Sequence, residues 1–194
     1  MEKARIAVFV SGGGTNLQAL MDAEDSGILH SGEIVLVCSG NPDAYALTRA
    51  EKKGIPTYLI EDDAKLLAKL KEESIDMIIL AGFLKILSKD VIKAYPDRII
   101  NVHPALIPSF CGKGFYGLKV HEKALEYGVK VTGATVHYVN EVPDGGKIIF
   151  QKAVDILDDD TPETLQKRVM KNCEWILLPQ AAELVASNIV AGRG

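Results

Sequence analysis

Cysteine is scarce. Cys38, Cys111 and Cys173 are odd in number and far apart, so they give neither a disulfide framework nor a C-x-x-C redox or metal motif, and no metal is expected. Basic runs are missing too, and the formal net charge is −4. That balance argues against nucleic acid and against an anionic membrane as partners, while leaving room for a local basic pocket around a phosphorylated small molecule. No apolar stretch approaches the roughly 18 residues needed to span a bilayer. The opening Met1-Glu2-Lys3-Ala4-Arg5 leads straight into a strand-like run and lacks the apolar centre of a secretion signal, so a cytoplasmic location is expected. Repeats, linkers and low-complexity segments are absent as well. The 194 residues suffice for one sizeable core and are expected to form one domain, 1–194.

What is present is an alternation of short apolar runs with helix-like patterns. Ile6 to Val10 reads as a first strand, and Ser11-Gly12-Gly13-Gly14-Thr15-Asn16 as a glycine loop before a helix beginning near Leu17. Three glycines let the backbone turn sharply and bare its N–H groups, and the helix dipole favours an anion there, so phosphate is the natural guest. Thr15 or Asn16 is expected to cap the helix or to offer a donor to the same phosphate. This is not a dinucleotide fingerprint, because position 17 is Leu, nor a Walker A loop, because no Gly-Lys-Ser/Thr follows. A tight turn without a ligand is the alternative.

Strands follow at 33–39, 57–60 and 77–80, with helices between them at 44–53, closed by Gly54, and around Leu66, Leu67 and Leu70. No acidic residue ends the second strand to hold a ribose diol, which weakens an NAD reading further. Phe83-Leu84-Lys85-Ile86-Leu87 lies at the carboxyl end of the fourth strand. Its side chains read as core packing, its backbone as lining of a crevice. Ser88 caps a helix that ends at Tyr95-Pro96.

The central stretch is Ile99-Ile100-Asn101-Val102-His103-Pro104. Continuous apolar residues make a buried strand, and Pro104, lacking an N–H, stops it. Ligands of open α/β sheets bind beyond the carboxyl ends of strands, and a spacing of two puts Asn101 and His103 on one face. The competing reading is a turn-capping Asn and a core His. Strand–helix alternation with continuous apolar strands implies an α/β fold of Rossmann-like type: a mostly parallel sheet with helices on both faces. Beyond a glycine-rich loop at 110–117 and a short helix over 121–127, strands at 131–139 and 148–154 suggest an antiparallel C-terminal extension. Thr161 with Pro162 starts a final helix, bent or broken near Pro179.

Asp144 stands in the connection between those last two strands. A carboxylate beside an imidazole orients it and raises its pKa, and Asn101 adds a neutral donor. Together they suit a reaction that builds negative charge on a carbonyl oxygen. An Asp-Gly-Gly turn can equally be only a turn.

Four motifs, 11–19, 81–88, 101–108 and 133–139 continuing to Asp144-Gly145-Gly146, resemble those of the phosphoribosylglycinamide formyltransferases, in the folate-dependent formyltransferase family, over nearly the whole chain and in the same order. The resemblance implies a single-domain formyltransferase fold and a catalytic set of Asn101, His103 and Asp144. It implies 10-formyltetrahydrofolate as the formyl-donor co-substrate, and an acceptor ribonucleotide whose phosphate lies on Gly12, Gly13, Gly14, Thr15 and Asn16 and which Glu174 contacts. The folate would rest on Leu84, Lys85, Ile86 and Leu87, on Asn101, and on Asn140, Glu141, Val142, Pro143 and Asp144. Two departures stand out: Glu174 is followed by Trp175 where the family usually has His, and 59–65 lacks an Arg that many members use for the folate, so that either Lys65 substitutes or the folate tail is held differently.

Three other readings share parts of this pattern. A formyltetrahydrofolate hydrolase uses the same three residues but usually carries an extra N-terminal regulatory domain, whereas this chain is read as beginning at the first strand. A methionyl-tRNA formyltransferase is expected to show a C-terminal domain and a basic surface. A non-catalytic sensor of phosphoribosyl ligands could use the same fold.

Overall fold

The computed structural model describes residues 2–192. They divide into two compact units, 2–100 with 179–192, and 101–178.

In the first unit β1 (Ala4–Val10) pairs in parallel with β2 (Gly32–Ser39) and with β4 (Met77–Leu80), and β2 pairs in parallel with β3 (Thr57–Leu59). The order is β3-β2-β1-β4, and β5 (Ile99–His103) enters beside β4, where the Ile78 N–H donates to the carbonyl of Arg98. Helices α1 (Thr15–Asp25), α2 (Tyr45–Lys52), α3 (Asp63–Glu72) and α4 (Lys89–Ala94) connect these strands. Ile6 to Val10 and Met77 to Ile79 are completely buried, as expected of parallel strands covered on both faces. Ser88 accepts the Val91 N–H at the start of α4, the expected cap.

The second unit holds the end of β5, then α5 (Leu118–Tyr127), β6 (Val131–Tyr138), β7 (Ile148–Asp155) and α6 (Pro162–Val169). The order here is β5-β6-β7, and β6 and β7 are antiparallel. Helix α5 begins three residues ahead of its expected start, because Gly117, at φ 56° and ψ −137°, breaks the loop immediately before Leu118. Thr161 caps α6 in a reciprocal box with Thr164, and Pro162 fills the first turn.

The break expected at Pro179 falls earlier. A π turn, Met170–Glu174, leads into α7 (Trp175–Ala191), which carries Pro179 within it. Widening one turn ahead of the proline lets the helix continue where a hydrogen bond is missing. Among the described residues no helix is long and apolar enough to cross a membrane.

Candidate active site

β5 ends at His103, and its alternation carries Asn101 and His103 to one carboxylate. Asn101 Nδ2 lies 3.5 Å from Asp144 Oδ1, and His103 Nδ1 lies 3.5 Å from Asp144 Oδ2. The loop that delivers Asp144 braces itself: Asn140 Oδ1 accepts the Val142 N–H at 2.9 Å, Asn140 Nδ2 donates to the Gly145 carbonyl at 3.2 Å, and the Gly145 N–H donates to the Val142 carbonyl at 2.9 Å. Asp144 itself has φ 55°, a left-handed conformation that Asp tolerates better than most residues. At Gly146 a Cβ would stand 1.7 Å from the Tyr138 carbonyl oxygen, so only glycine fits behind it. The connection is therefore a built support rather than a bare turn.

The protons can be placed from the partners. His103 Nε2 is 2.8 Å from the carbonyl of Phe110, which can only accept, so Nε2 carries hydrogen. That leaves Nδ1 as the titrating nitrogen, aimed at Asp144. The Gly112 N–H donates to Asp144 Oδ2 at 2.8 Å. Burial pushes the His103 imidazole down and wins, although Asp144 and the Phe110 carbonyl push it up; His137 adds to the lowering. The expectation of an imidazole raised by its carboxylate is thus corrected: the side chain is only 5% exposed, and desolvation outweighs the charge. Burial also pushes the Asp144 carboxyl up, but the His137 hydrogen bond, the His103 charge and the Gly112 N–H together hold it below the usual range.

His137 belongs to this cluster and was not singled out from the sequence. Its Nδ1 donates to the Tyr138 carbonyl at 2.8 Å, and its Nε2 lies 3.2 Å from Asn101 Nδ2 and 3.5 Å from Asp144 Oδ1. The available signal was period two along β6, which puts buried Thr135 and His137 on one face. Thr135 Oγ1 donates to the Ala105 carbonyl at 2.7 Å and accepts the Ile107 N–H at 3.1 Å, pinning the loop that leaves β5.

The glycine loop lies in the first unit. Gly12 and Gly13 are exposed, and Gly14, at φ 73°, occupies the cap position of α1 with no side-chain cap. The expectation that Thr15 or Asn16 caps the helix is corrected: Thr15 is already helical, and the buried Asn16 lies within the first turn. Gly14 must be glycine twice over, by its φ and because a Cβ would meet Ala46 Cβ at 2.6 Å. Among the described residues the N–H groups of Gly13, Gly14 and Thr15 enter no hydrogen bond, which suits an anion.

The family described as Formyl transferase matches residues 4–181. The chain belongs to the formyl transferase family. It is 38% identical over 178 residues to the chloroplastic phosphoribosylglycinamide formyltransferase of Arabidopsis thaliana, covering 87% of this chain and 61% of that protein. It is 43% identical over 200 residues to the trifunctional purine biosynthetic protein adenosine-3 of Bos taurus, covering 97% of this chain and 19% of that protein. The chain thus spans less than two thirds of these relatives' lengths. Among solved structures, glycinamide ribonucleotide transformylase 1 from Symbiobacterium toebii superposes with a TM-score of 0.89 at 37% identity, over 96% of this chain and 89% of that one.

Leu84 and Ile86, read earlier as core, are instead 62% and 77% exposed. Gly82, at φ 72°, turns the chain out of β4 before them, and the Leu84 N–H donates to Ser11 Oγ at 2.9 Å, tying this segment to the glycine loop. Lys85 crosses Gly40, where a Cβ would stand 2.6 Å from its Nζ. Leu87 is half-buried, whereas Glu141, Val142 and Pro143 beside Asn140 are exposed. Glu174 is buried in the π turn, a local irregularity often found at functional positions. Lys65 is paired with Glu61 one helical turn away, so its charge is already engaged. Among the described residues no group of three His, Cys, Asp or Glu is placed to hold a metal ion.

Proposed function

We propose that this protein transfers the formyl group of 10-formyltetrahydrofolate to the amine of 5-phosphoribosylglycinamide, a step of de novo purine biosynthesis. The observation that carries the reading is the facing pair of buried His103 and half-buried Asp144, joined by Asn101. The glycine loop takes the acceptor's phosphate on the N–H groups of Gly13, Gly14 and Thr15, with Gly12 and Asn16 flanking, and Glu174 contacts the ribonucleotide. Exposed Leu84 and Ile86, with Lys85 and half-buried Leu87, supply an apolar surface with polar edges of the kind a pterin requires, and the folate also rests on Asn101 and on Asn140, Glu141, Val142, Pro143 and Asp144.

The chemistry follows from the proton inventory. The amine nitrogen attacks the formyl carbon, and the carbonyl π electrons move to oxygen. The Asn101 amide makes only a loose 3.5 Å contact to Asp144, which a developing oxyanion can displace to take up its N–H. Neutral His103 takes the amine proton at Nδ1, and the Asp144 carboxylate holds the resulting imidazolium. Collapse of the tetrahedral intermediate breaks the bond to N10 of the folate, and the same proton passes to that nitrogen. Atoms and charge balance, with one proton moved from amine to leaving group.

The family match runs through both compact units, which supports reading 1–194 as one formyltransferase domain. The net charge of −4 supports small-molecule substrates without nucleic acid or membrane partners, and unpaired Cys38, Cys111 and Cys173 support a reducing, cytoplasmic location. The deciding experiment is a coupled assay with both substrates beside a control without acceptor. Formylation of the amine should far outrun release of formate. Equal formate release in both arms would make the protein a hydrolase, and no turnover at all would leave the sensor reading.

A further inference from the structure

The glycine loop owes its orientation to what holds its carbonyl side. Across a trans peptide the C=O of one residue and the N–H of the next point in opposite directions. The Gly12 carbonyl accepts the Ala46 N–H at 3.0 Å, which turns the Gly13 N–H away from α2. The Gly13 carbonyl accepts Arg49 Nε at 2.8 Å, which turns the Gly14 N–H the same way. The Gly14 carbonyl accepts the Gln18 N–H at 2.9 Å inside α1, leaving the Thr15 N–H aimed out of the helix start. Two of these three anchors are backbone groups. The third is a side chain.

Arg49 is itself fixed from two further sides. Its Nη1 donates to Gln18 Oε1 at 3.0 Å, its guanidinium lies 5.1 Å over the Tyr45 ring, and Gln18 Nε2 is held by Asp22 Oδ1 at 2.9 Å. A fork locked in this way fits one peptide carbonyl in one direction, which a flexible ammonium does not reproduce.

We propose that Arg49 is the positioning residue of the anion-binding loop: by holding the Gly13 carbonyl against α2 it keeps the N–H groups of Gly13, Gly14 and Thr15 turned to the phosphate of the acceptor. This rests on the phosphate reading of that loop given above. Arg49 touches the loop's back and acts through it.

The test uses the full chain, with ribose 5-phosphate as probe and amide NMR shifts of Gly13, Gly14 and Thr15 as readout. In the wild type these three signals move on titration. In both Arg49→Met and Arg49→Lys the probe should bind about 10- to 100-fold more weakly, the range of one charge-assisted hydrogen bond. In turnover the acceptor KM should rise with kcat and the donor KM nearly unchanged. If Arg49→Lys binds like the wild type, charge alone suffices and the positioning role is overturned; unchanged binding in both variants, or a wild type whose loop signals ignore the probe, overturns it as well. Should the Arg49 variants not fold, Gln18→Ala decides, because it removes only the brace of the guanidinium: weaker probe binding supports the proposal and unchanged binding ends it. The NMR arm needs no turnover, so failure of the formyl-transfer assay and failure of this inference are separate results.

Discussion

His103 Nδ1 and Asp144 Oδ2 face each other at 3.5 Å, too far for the 2.7–2.9 Å of a charge-assisted hydrogen bond, with Nε2 of the same ring committed to the Phe110 carbonyl. The imidazole is held down by burial and the carboxyl is held below its usual range, so near neutral pH the pair is a neutral base beside a carboxylate. A proton arriving at Nδ1 would be shared at once. The site is thus set to accept a proton first and return it later, rather than to present a standing cation.

Asp144→Asn tests this directly. The amide oxygen can still accept the Gly112 N–H, and Asn tolerates the left-handed backbone at this position, so the loop should persist. Without the carboxylate, the His103 imidazole should titrate lower still, and kcat should fall on the order of 100-fold or more. Imidazole NMR and steady-state kinetics check both. Near-wild-type turnover with an unmoved titration would sink the mechanism and leave the fold untouched.

The glycine loop separates binding from folding. A Cβ at Gly13 meets nothing within 4 Å, whereas one at Gly14 meets Ala46 and sits at φ 73°. Gly13→Val should therefore fold normally and raise the acceptor KM, because its side chain enters the anion's space. Gly14→Ala should lose about 1–3 kcal/mol of stability through backbone strain and the clash with α2. Urea unfolding beside kinetics distinguishes them, and a Gly13→Val protein with unchanged acceptor KM contradicts the phosphate assignment.

At the far end of the second unit the effect should be on stability alone. Thr161 Oγ1 accepts the Thr164 N–H, and Thr164 Oγ1 in turn accepts the Thr161 N–H. Thr161→Ala leaves the N–H of Thr164 without its cap and should cost about 1 kcal/mol with kcat kept. A urea midpoint equal to that of the wild type would show that water replaces the cap without loss.

How much of this was legible beforehand depends on the range of each interaction. β1 and β4 announce themselves as continuous apolar runs, and Thr161-Pro162 and Ser88 mark helix starts, because those signals are local. Asn101 and His103 share a face through strand period two alone. That Asp144 meets them came only from the resemblance, since it requires a long connection to fold back. The Phe110 carbonyl that fixes His103 could not be read at all: it depends on a left-handed φ of 49° at a non-glycine residue. The lowered His103 pKa was misjudged for a related reason. A charge partner is visible in a sequence, whereas the depth of burial that outweighs it is a property of the assembled fold.

The last prediction concerns His121, a buried histidine with no assigned part in the chemistry. Its side chain is fully inside α5's packed face, and neither ring nitrogen has a hydrogen-bond partner. Burial, with a smaller contribution from the His103 charge, pushes the imidazole down to about 4. In the unfolded chain it titrates at the ordinary value of about 6.5. The native state therefore stays neutral while the unfolded state gains a proton, and stability must fall as pH drops from about 6.5 towards about 4. The loss from this one group reaches about 2 kcal/mol at pH 5 and about 3 at pH 4, and above pH 7 it vanishes. His103, also lowered, acts with the same sign. Urea unfolding at pH 7, 6 and 5 reads the slope in a window above the titration of the carboxylates. The His121→Leu protein will differ in absolute stability through packing, so the comparison is of slopes: the variant's should be clearly flatter. A wild type equally stable at pH 7 and 5, or a variant that keeps the full slope, would show that His121 takes up its proton in the folded protein, and that the space around it admits the water its nitrogens need.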